Sequence, residues 1–186
     1  MKRSWLINVG AYTLAGLVTS ALVGSLLGAI GLLLLPEKMG APGMAVALGL
    51  AGLGVIRALG WTSFHLPRVR RQTPNSWPKP FEGAAASALW GFDVGLTFTT
   101  RFTFSGLSLL AALAILVGQP AFGAGLFAAF WLGRAASVWI GPFLLPDANA
   151  TPRLLGWINR EVWLFRGINV AGNTTAILLL LLVHYE

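Results

Sequence analysis

The sequence WGFDVGLTFTTRFTFSGLS, residues 90–108, decides how the rest of the chain is interpreted. It places an aspartate, Asp93, and an arginine, Arg101, inside an apolar segment that extends over residues 83–117. A charged side chain inside a bilayer is costly unless it is paired or hydrated, so such residues usually face the interior of a helix bundle. The stretch therefore predicts a membrane protein with a charged centre.

The polar residues of this stretch converge whether its helix is continuous or broken. At about 100° per residue, one stripe about 100° wide on a helical wheel collects Asp93, Thr97, Thr100, Arg101 and Ser108. The alternation of Thr with Phe over residues 97–104 disfavours a regular helix. It indicates local unwinding of the kind found at transporter sites. We therefore expect the third helix to be interrupted.

The composition places the whole chain in a bilayer. Hydrophobic residues make up 56% of the 186 residues and charged residues only 10%, whereas about a quarter of a soluble domain is charged. The mean hydropathy is +0.74. The 23 glycines allow helices to pack with close backbones. An all-α, polytopic integral membrane helical bundle is predicted, with residues 1–186 forming a single transmembrane domain.

Five apolar stretches approach or exceed the roughly 20 residues that cross a bilayer as a helix. We expect spans at residues 5–35, 43–60, 84–117, 121–145 and 162–183, a basic cytoplasmic loop at 61–82, and an amphipathic helix before the last crossing. Most cations outside the spans then lie on the side of the N-terminus, which is therefore inside. The alternative of six crossings would split the third span.

A candidate substrate-binding site follows from the buried polar residues of two spans. Its members are Asp93, Thr97, Thr100, Arg101 and Arg134. The excess of arginine favours an anion, because a guanidinium binds carboxylate or phosphate through two parallel hydrogen bonds. In the alternative, these charges neutralise one another and fix the helices in place. Trp90, Trp131 and Trp139 lie deeper in the spans than the other tryptophans and are expected near this centre.

Several kinds of chemistry find no support in the sequence. The absence of cysteine excludes disulfides and thiol redox chemistry. His65 and His184 lie on opposite predicted sides, so they form no metal site. No phosphate-binding loop or nucleophile elbow occurs. The net charge of +7 flanks the apolar spans, which indicates contact with anionic lipid rather than nucleic acid. We expect no enzymatic activity and no cofactor.

Glycine, proline and tryptophan positions carry a resemblance to a known family. The chain resembles the small prokaryotic membrane proteins of cytochrome c biogenesis, which belong to the wider lysine-exporter superfamily, in residues 72–77 (QTPNSW), Gly91, Gly95, residues 118–120 (GQP), Gly133 and Arg134. That family carries thiol reducing equivalents and needs a cysteine in each half. Because this chain has no cysteine, the resemblance implies a compact helical bundle with a polar centre but not the thiol activity.

Two functions are consistent with these features. The first is a small transporter of the prokaryotic inner membrane with multiple crossings, which takes an anionic solute at the charged centre. The second is a non-catalytic subunit or assembly factor of a larger membrane protein complex, in which the buried charges are fixed pairs. The expected partners are the lipid bilayer, an anionic solute, and further copies of the chain or a larger complex.

Overall fold

The protein is all helical in the part of the chain that the structure describes. The computed structural model describes residues 3–34, 41–61, 82–97, 106–144, 152, 156, 157 and 160–185. Within these ranges the longer helices are α1 (Arg3–Leu34), α2 (Ala41–Ala58), α3 (Gly83–Gly95), α4 (Gly106–Val117), α5 (Pro120–Leu144) and α6 (Val162–Tyr185). The predicted all-α class is confirmed for these residues.

Two of the described helices are long and apolar enough to cross a membrane. They are α1 and the part of α5 from Pro120 to Phe143, and a shorter apolar helix covers Gly43–Ile56 within α2. The membrane location is supported by the length and hydropathy of these two helices. The number of crossings and their orientation remain predictions. The expected amphipathic helix before α6 and the basic loop at 61–82 lie mostly outside the described residues.

The long segment at residues 83–117 contains two helices, in agreement with the expected interruption. Helix α3 ends at Gly95, and its C-cap residue Leu96 is still right-handed with φ −59° and ψ −12°. The next residue, Thr97, has φ 59°, a left-handed conformation that cannot continue the helix. Helix α4 then begins at Gly106.

A glycine face on α1 sets how closely α5 approaches it. A β-carbon added to Gly24 would overlap the backbone of Gly123, and one added to Gly28 would lie 2.5 Å from the Gln119 carbonyl oxygen. Gly16 is covered by the ring of Trp131. Residue numbers fall along α5 as they rise along α1, so the two helices run antiparallel. Only glycine permits such contacts, because any side chain would separate the backbones.

The same face of α1 also receives α3 and α4. Gly91 lies on the backbone of Tyr12, and a β-carbon on Gly95 would lie 2.8 Å from the Gly16 α-carbon. Residue numbers rise together in these two pairs, so α3 runs parallel to α1. Gly31, further along α1, lies against the backbone of Ile115 in α4. The interrupted segment therefore advances along α1 in one direction.

The remaining helices pack beside this group. α2 pairs mainly with α6 and also contacts α4, which itself contacts α1 and α5. The opposite side of α1 carries large aliphatic side chains that are between 43% and 64% exposed: Leu14, Val18, Leu22, Leu26 and Ile30. An apolar outer face of this kind is typical of a helix that contacts lipid.

Gly24→Ala tests the close contact between α1 and α5. The added methyl group would meet the Gly123 backbone, which cannot move as a side chain can, so we expect a loss of about 1–3 kcal/mol in the free energy of unfolding. The free energy of unfolding is measured on the purified protein in mild detergent, with circular dichroism as the signal that monitors unfolding.

Gly10→Ala is the matched control on the same helix. Nothing lies within 4 Å of a β-carbon at Gly10, and alanine stabilises a helix interior by about 0.5–1 kcal/mol relative to glycine. This variant should therefore be as stable as the parent protein or more stable. Equal effects of the two substitutions would contradict the packing described for α1.

Candidate functional site

The structure describes three of the five residues predicted to form the site. Asp93 on α3 is buried, with 3% of its surface exposed, and Thr97 just beyond the end of α3 is completely buried. Arg134 on α5 is partly buried. Thr100 and Arg101 lie outside the described residues. The burial of Asp93 agrees with the expected charged interior, while the role of the five residues in binding a substrate remains a prediction.

Asp93 owes its burial to the glycines on either side of it. Gly91 and Gly95 hold α3 against the backbone of α1, so the turn between them is enclosed. Val94, next to Asp93, belongs to the hydrophobic core. Asp93 and Arg134 each make at least one interaction within the protein. The two charges are therefore integrated into the helix packing.

Helices α1, α3 and α5 meet at one core cluster beside these charges. Val94, Trp131 and Ala135 form the cluster, and Tyr12 and Leu17 of α1 pack against it. The rings of Tyr12 and Trp131 are 5.1 Å apart at an angle of 44°. Arg134 precedes Ala135 in α5, and its guanidinium lies close enough to the Tyr12 hydroxyl for an electrostatic interaction. The centre thus combines aromatic and charged groups from three helices.

Thr13 is a part of this centre that sequence reasoning missed. The Trp131 indole Nε1 donates a hydrogen bond to the Thr13 carbonyl oxygen (2.8 Å), and the Trp139 Nε1 donates to the Thr13 Oγ1 (3.0 Å). Thr13 Oγ1 in turn donates to the carbonyl oxygen of Val9 (2.8 Å). One residue of α1 therefore holds two tryptophans of α5. No sequence signal identifies this pairing, because the partners are more than a hundred residues apart.

The three deep tryptophans lie in different surroundings. Trp131 is completely buried, as expected for a residue at the charged centre. Trp139 is 36% exposed and packs edge-on against Trp5, with the ring centres 5.7 Å apart. Trp90 is 37% exposed. Only Trp131 thus forms part of the core, and Trp139 extends the contact between α1 and α5 toward the N-terminus of α1.

Thr97 holds an unusual backbone conformation. A β-branched residue with positive φ is a genuine outlier, and such strain costs of order 1–3 kcal/mol. The backbone N–H of Thr97 donates to the Val94 carbonyl oxygen (3.2 Å), and its Oγ1 donates to the Leu96 carbonyl oxygen (2.7 Å). These bonds and complete burial hold the residue where glycine is the usual choice.

The described polar groups near this centre do not converge as a set of metal ligands. Among the described residues, no group of three His, Cys, Asp or Glu side chains could hold a metal ion. Ser20, one turn beyond Gly16 on α1, is completely buried, and its Oγ has no hydrogen-bond partner within the described ranges. The arrangement of tight glycine contacts, engaged charges and a buried indole is typical of a packing centre.

The chain is similar to two curated proteins named Methylamine utilization protein MauF. The relative from Paracoccus versutus is 30% identical over 163 residues, which cover 84% of this chain and 56% of the relative. The relative from Methylophilus methylotrophus is 24% identical over 168 residues, which cover 89% of this chain and 58% of the relative. The chain therefore spans a little over half the length of the relatives it matches. No family model matches the chain, and no solved structure matches it.

These similarities correct two expectations from the sequence. The resemblance to the cytochrome c biogenesis family and the lysine-exporter superfamily is wrong, because the relatives carry the name of methylamine utilization proteins. The leading expectation of an anion transporter is wrong on the same finding. The glycine and proline positions behind the family resemblance recur in any bundle whose helices pack closely, so they do not separate one membrane family from another. The transporter expectation rested on buried charges beside an interrupted helix, and such charges also occur as fixed structural groups.

Substitution of Thr97 tests the conformation that ends α3. Thr97→Ala and Thr97→Gly remove the same hydroxyl and methyl groups, but only Thr97→Gly also removes the β-carbon that opposes positive φ. We expect Thr97→Gly to be more stable than Thr97→Ala by about 1 kcal/mol in the free energy of unfolding.

Thr19 provides a control at which the Gly variant should be less stable than the Ala variant, the reverse of the order expected at Thr97. It is buried within α1, where its Oγ1 donates to the Ala15 carbonyl oxygen (2.8 Å). Because glycine is about 1 kcal/mol worse than alanine in a helix interior, Thr19→Gly should be the less stable variant of that pair. The same order of stability at both positions would contradict the left-handed conformation of Thr97.

Proposed function

We propose that this chain is a non-catalytic accessory protein of methylamine utilization, which acts in the membrane as a subunit or assembly factor of a larger protein complex. The observation that carries the proposal is the 30% identity to MauF over 84% of the chain. The matched residues cover 56% and 58% of the two relatives, so the role of the whole relative is extended to this chain only as a proposal.

The relative helix directions support a membrane topology with five crossings, and the distribution of cations in the sequence favours an N-terminus on the inside. α3 and α4 advance along α1 in parallel, whereas α5 runs antiparallel to it. In the proposed topology α1 and the segment at 83–117 cross outward, and α2 and α5 return. The final helix α6 would then cross outward from the basic side. Its partner α2 would run the other way.

The charged centre supports an architectural role better than a solute site. Asp93 and Arg134 both interact with other residues, and the surrounding backbones touch at Gly91 and Gly95. Removal of one partner from a buried charge pair or network is costly. We therefore propose that these charges fix the relative positions of α1, α3 and α5. An accessory protein needs such a rigid scaffold, and it needs no nucleophile.

A chimera provides the functional test. In a Paracoccus versutus strain without MauF, the part of MauF that aligns with this chain is replaced by this chain. We expect the chimera to restore growth on methylamine as the only nitrogen source, because the matched part supplies the membrane scaffold. Growth rates are measured against strains with intact MauF and with none, and folded chimera in the membrane is quantified in each strain.

Two controls separate accessory action from other roles. Asp93→Asn should lower the amount of folded chimera, because it removes a buried charge that fixes the helices. Growth per amount of folded chimera should stay unchanged, because the charge is not a reacting group. Removal of an acid–base catalyst typically slows a reaction by about a hundredfold or more. A loss of that size in the growth rate on methylamine, after the same normalisation, would contradict the non-catalytic role. Uptake of labelled methylamine that requires the chimera would also contradict the proposal, as would a folded chimera that fails to restore growth.

A further inference from the structure

An open groove lies along the first half of α6, beside Leu59, the residue that follows α2. Its volume is about 610 Å³, within the range of about 300–1,000 Å³ that is usual for ligand pockets. Its lining includes Leu59, Trp163, Arg166, Val170, Ala171 and Thr174. The groove is remote in sequence from the charged centre formed by α1, α3 and α5, and the proposed function does not use it.

The charge in the groove selects an anion. Among the described residues that line the groove, Arg166 is the cation and none is acidic. Glu161, just before α6, accepts a hydrogen bond from the Trp163 Nε1 (2.6 Å), so this carboxylate is engaged by an indole. A positively charged ligand such as an amine would be repelled, whereas a phosphate could accept two hydrogen bonds from the guanidinium.

The polar and apolar parts of the groove are arranged in sequence along α6. Arg166 lies in the second turn of the helix, and Val170 and Ala171 follow one turn later. Thr174 is eight residues beyond Arg166, or about 12 Å along a helix axis. The groove therefore has a charged end at Arg166, and small or aliphatic side chains line the part that extends from there toward the C-terminus of α6. A ligand that fits is an amphiphile with an anionic head and an apolar tail.

Exposed tryptophans place the charged end at headgroup depth. Trp61 follows α2 and is 75% exposed, Trp163 in the first turn of α6 is 65% exposed, and Trp157 is 44% exposed. Exposed indoles collect at the boundary between hydrocarbon and water. Arg166, three residues beyond Trp163, would then lie at the depth of lipid phosphates, and the rest of the groove would extend into the hydrocarbon.

We infer that this groove binds an anionic phospholipid, with the phosphate at Arg166 and an acyl chain along Val170 and Ala171. The lipid would fill the groove between α2 and α6 and bridge the ends of the two helices. Basic pockets between transmembrane helices on the cytoplasmic side are typical of such headgroup sites.

Lipid binding to the purified full chain tests the inference. The protein is freed of lipid in an uncharged detergent and mixed with phosphatidylglycerol or phosphatidylcholine, and bound lipid is counted by native mass spectrometry. We expect a preference for phosphatidylglycerol of about fivefold, which corresponds to one cation near an anionic lipid surface. Arg166→Gln should remove this preference, and Arg166→Lys should retain most of it.

Arg160→Gln is the matched control, because Arg160 is an exposed arginine near α6 that does not line the groove. It should leave lipid binding unchanged, and all variants are compared at equal helicity. An equal loss in the two Gln variants would overturn the site in favour of diffuse surface charge. Equal binding of the two lipids, displacement by millimolar inorganic phosphate, or equal binding of a short-chain phosphatidylglycerol would also overturn it.

Discussion

Backbone contact along the glycine face of α1 is the constraint on which the rest of the structure depends. Gly16, Gly24, Gly28 and Gly31 receive α5 and α4, and Gly91 and Gly95 bring α3 to the same helix. In lipid, helices gain little from the hydrophobic effect when they associate, so close packing and hydrogen bonds must stabilise the bundle. The glycines make both possible. They bring Trp131 near enough to donate a hydrogen bond to the Thr13 carbonyl oxygen.

The burial of Asp93 and the partial burial of Arg134 are consequences of this packing. Asp93 lies between the two glycines that hold α3 on α1, and Arg134 lies beside the core residue Ala135. Both residues make interactions within the protein. A charge held in this way contributes to the specificity of helix positions, which is a hypothesis that suits a scaffold protein. The similarity to MauF overturns the expectation of a transporter and leaves room for the accessory role proposed above.

The sequence predicted the helical class, the interruption of the third segment and the burial of Asp93, because hydropathy and an isolated charge are local signals. It did not predict which helix each glycine contacts. Glycine spacing identifies a helix face made of small residues, but it does not indicate which other helix packs on that face. The role of Thr13 was missed for a similar reason: an ordinary helical threonine acquires two tryptophan donors only after α5 has packed on α1. The family resemblance failed because glycine and proline positions reflect close packing, which many membrane bundles share.

A double-mutant cycle between Gly16 and Trp131 tests the central packing claim most directly. A β-carbon on Gly16 would overlap the Trp131 ring, so Gly16→Ala should destabilise the parent protein. In a Trp131→Ala background the nearest obstacle, the indole ring, is gone, and Gly16→Ala should cost less than it does in the parent protein. We predict a coupling free energy of about 1–3 kcal/mol, as found for residues in contact. Gly10→Ala should show no coupling to Trp131. Additive effects of Gly16→Ala and Trp131→Ala would contradict the account.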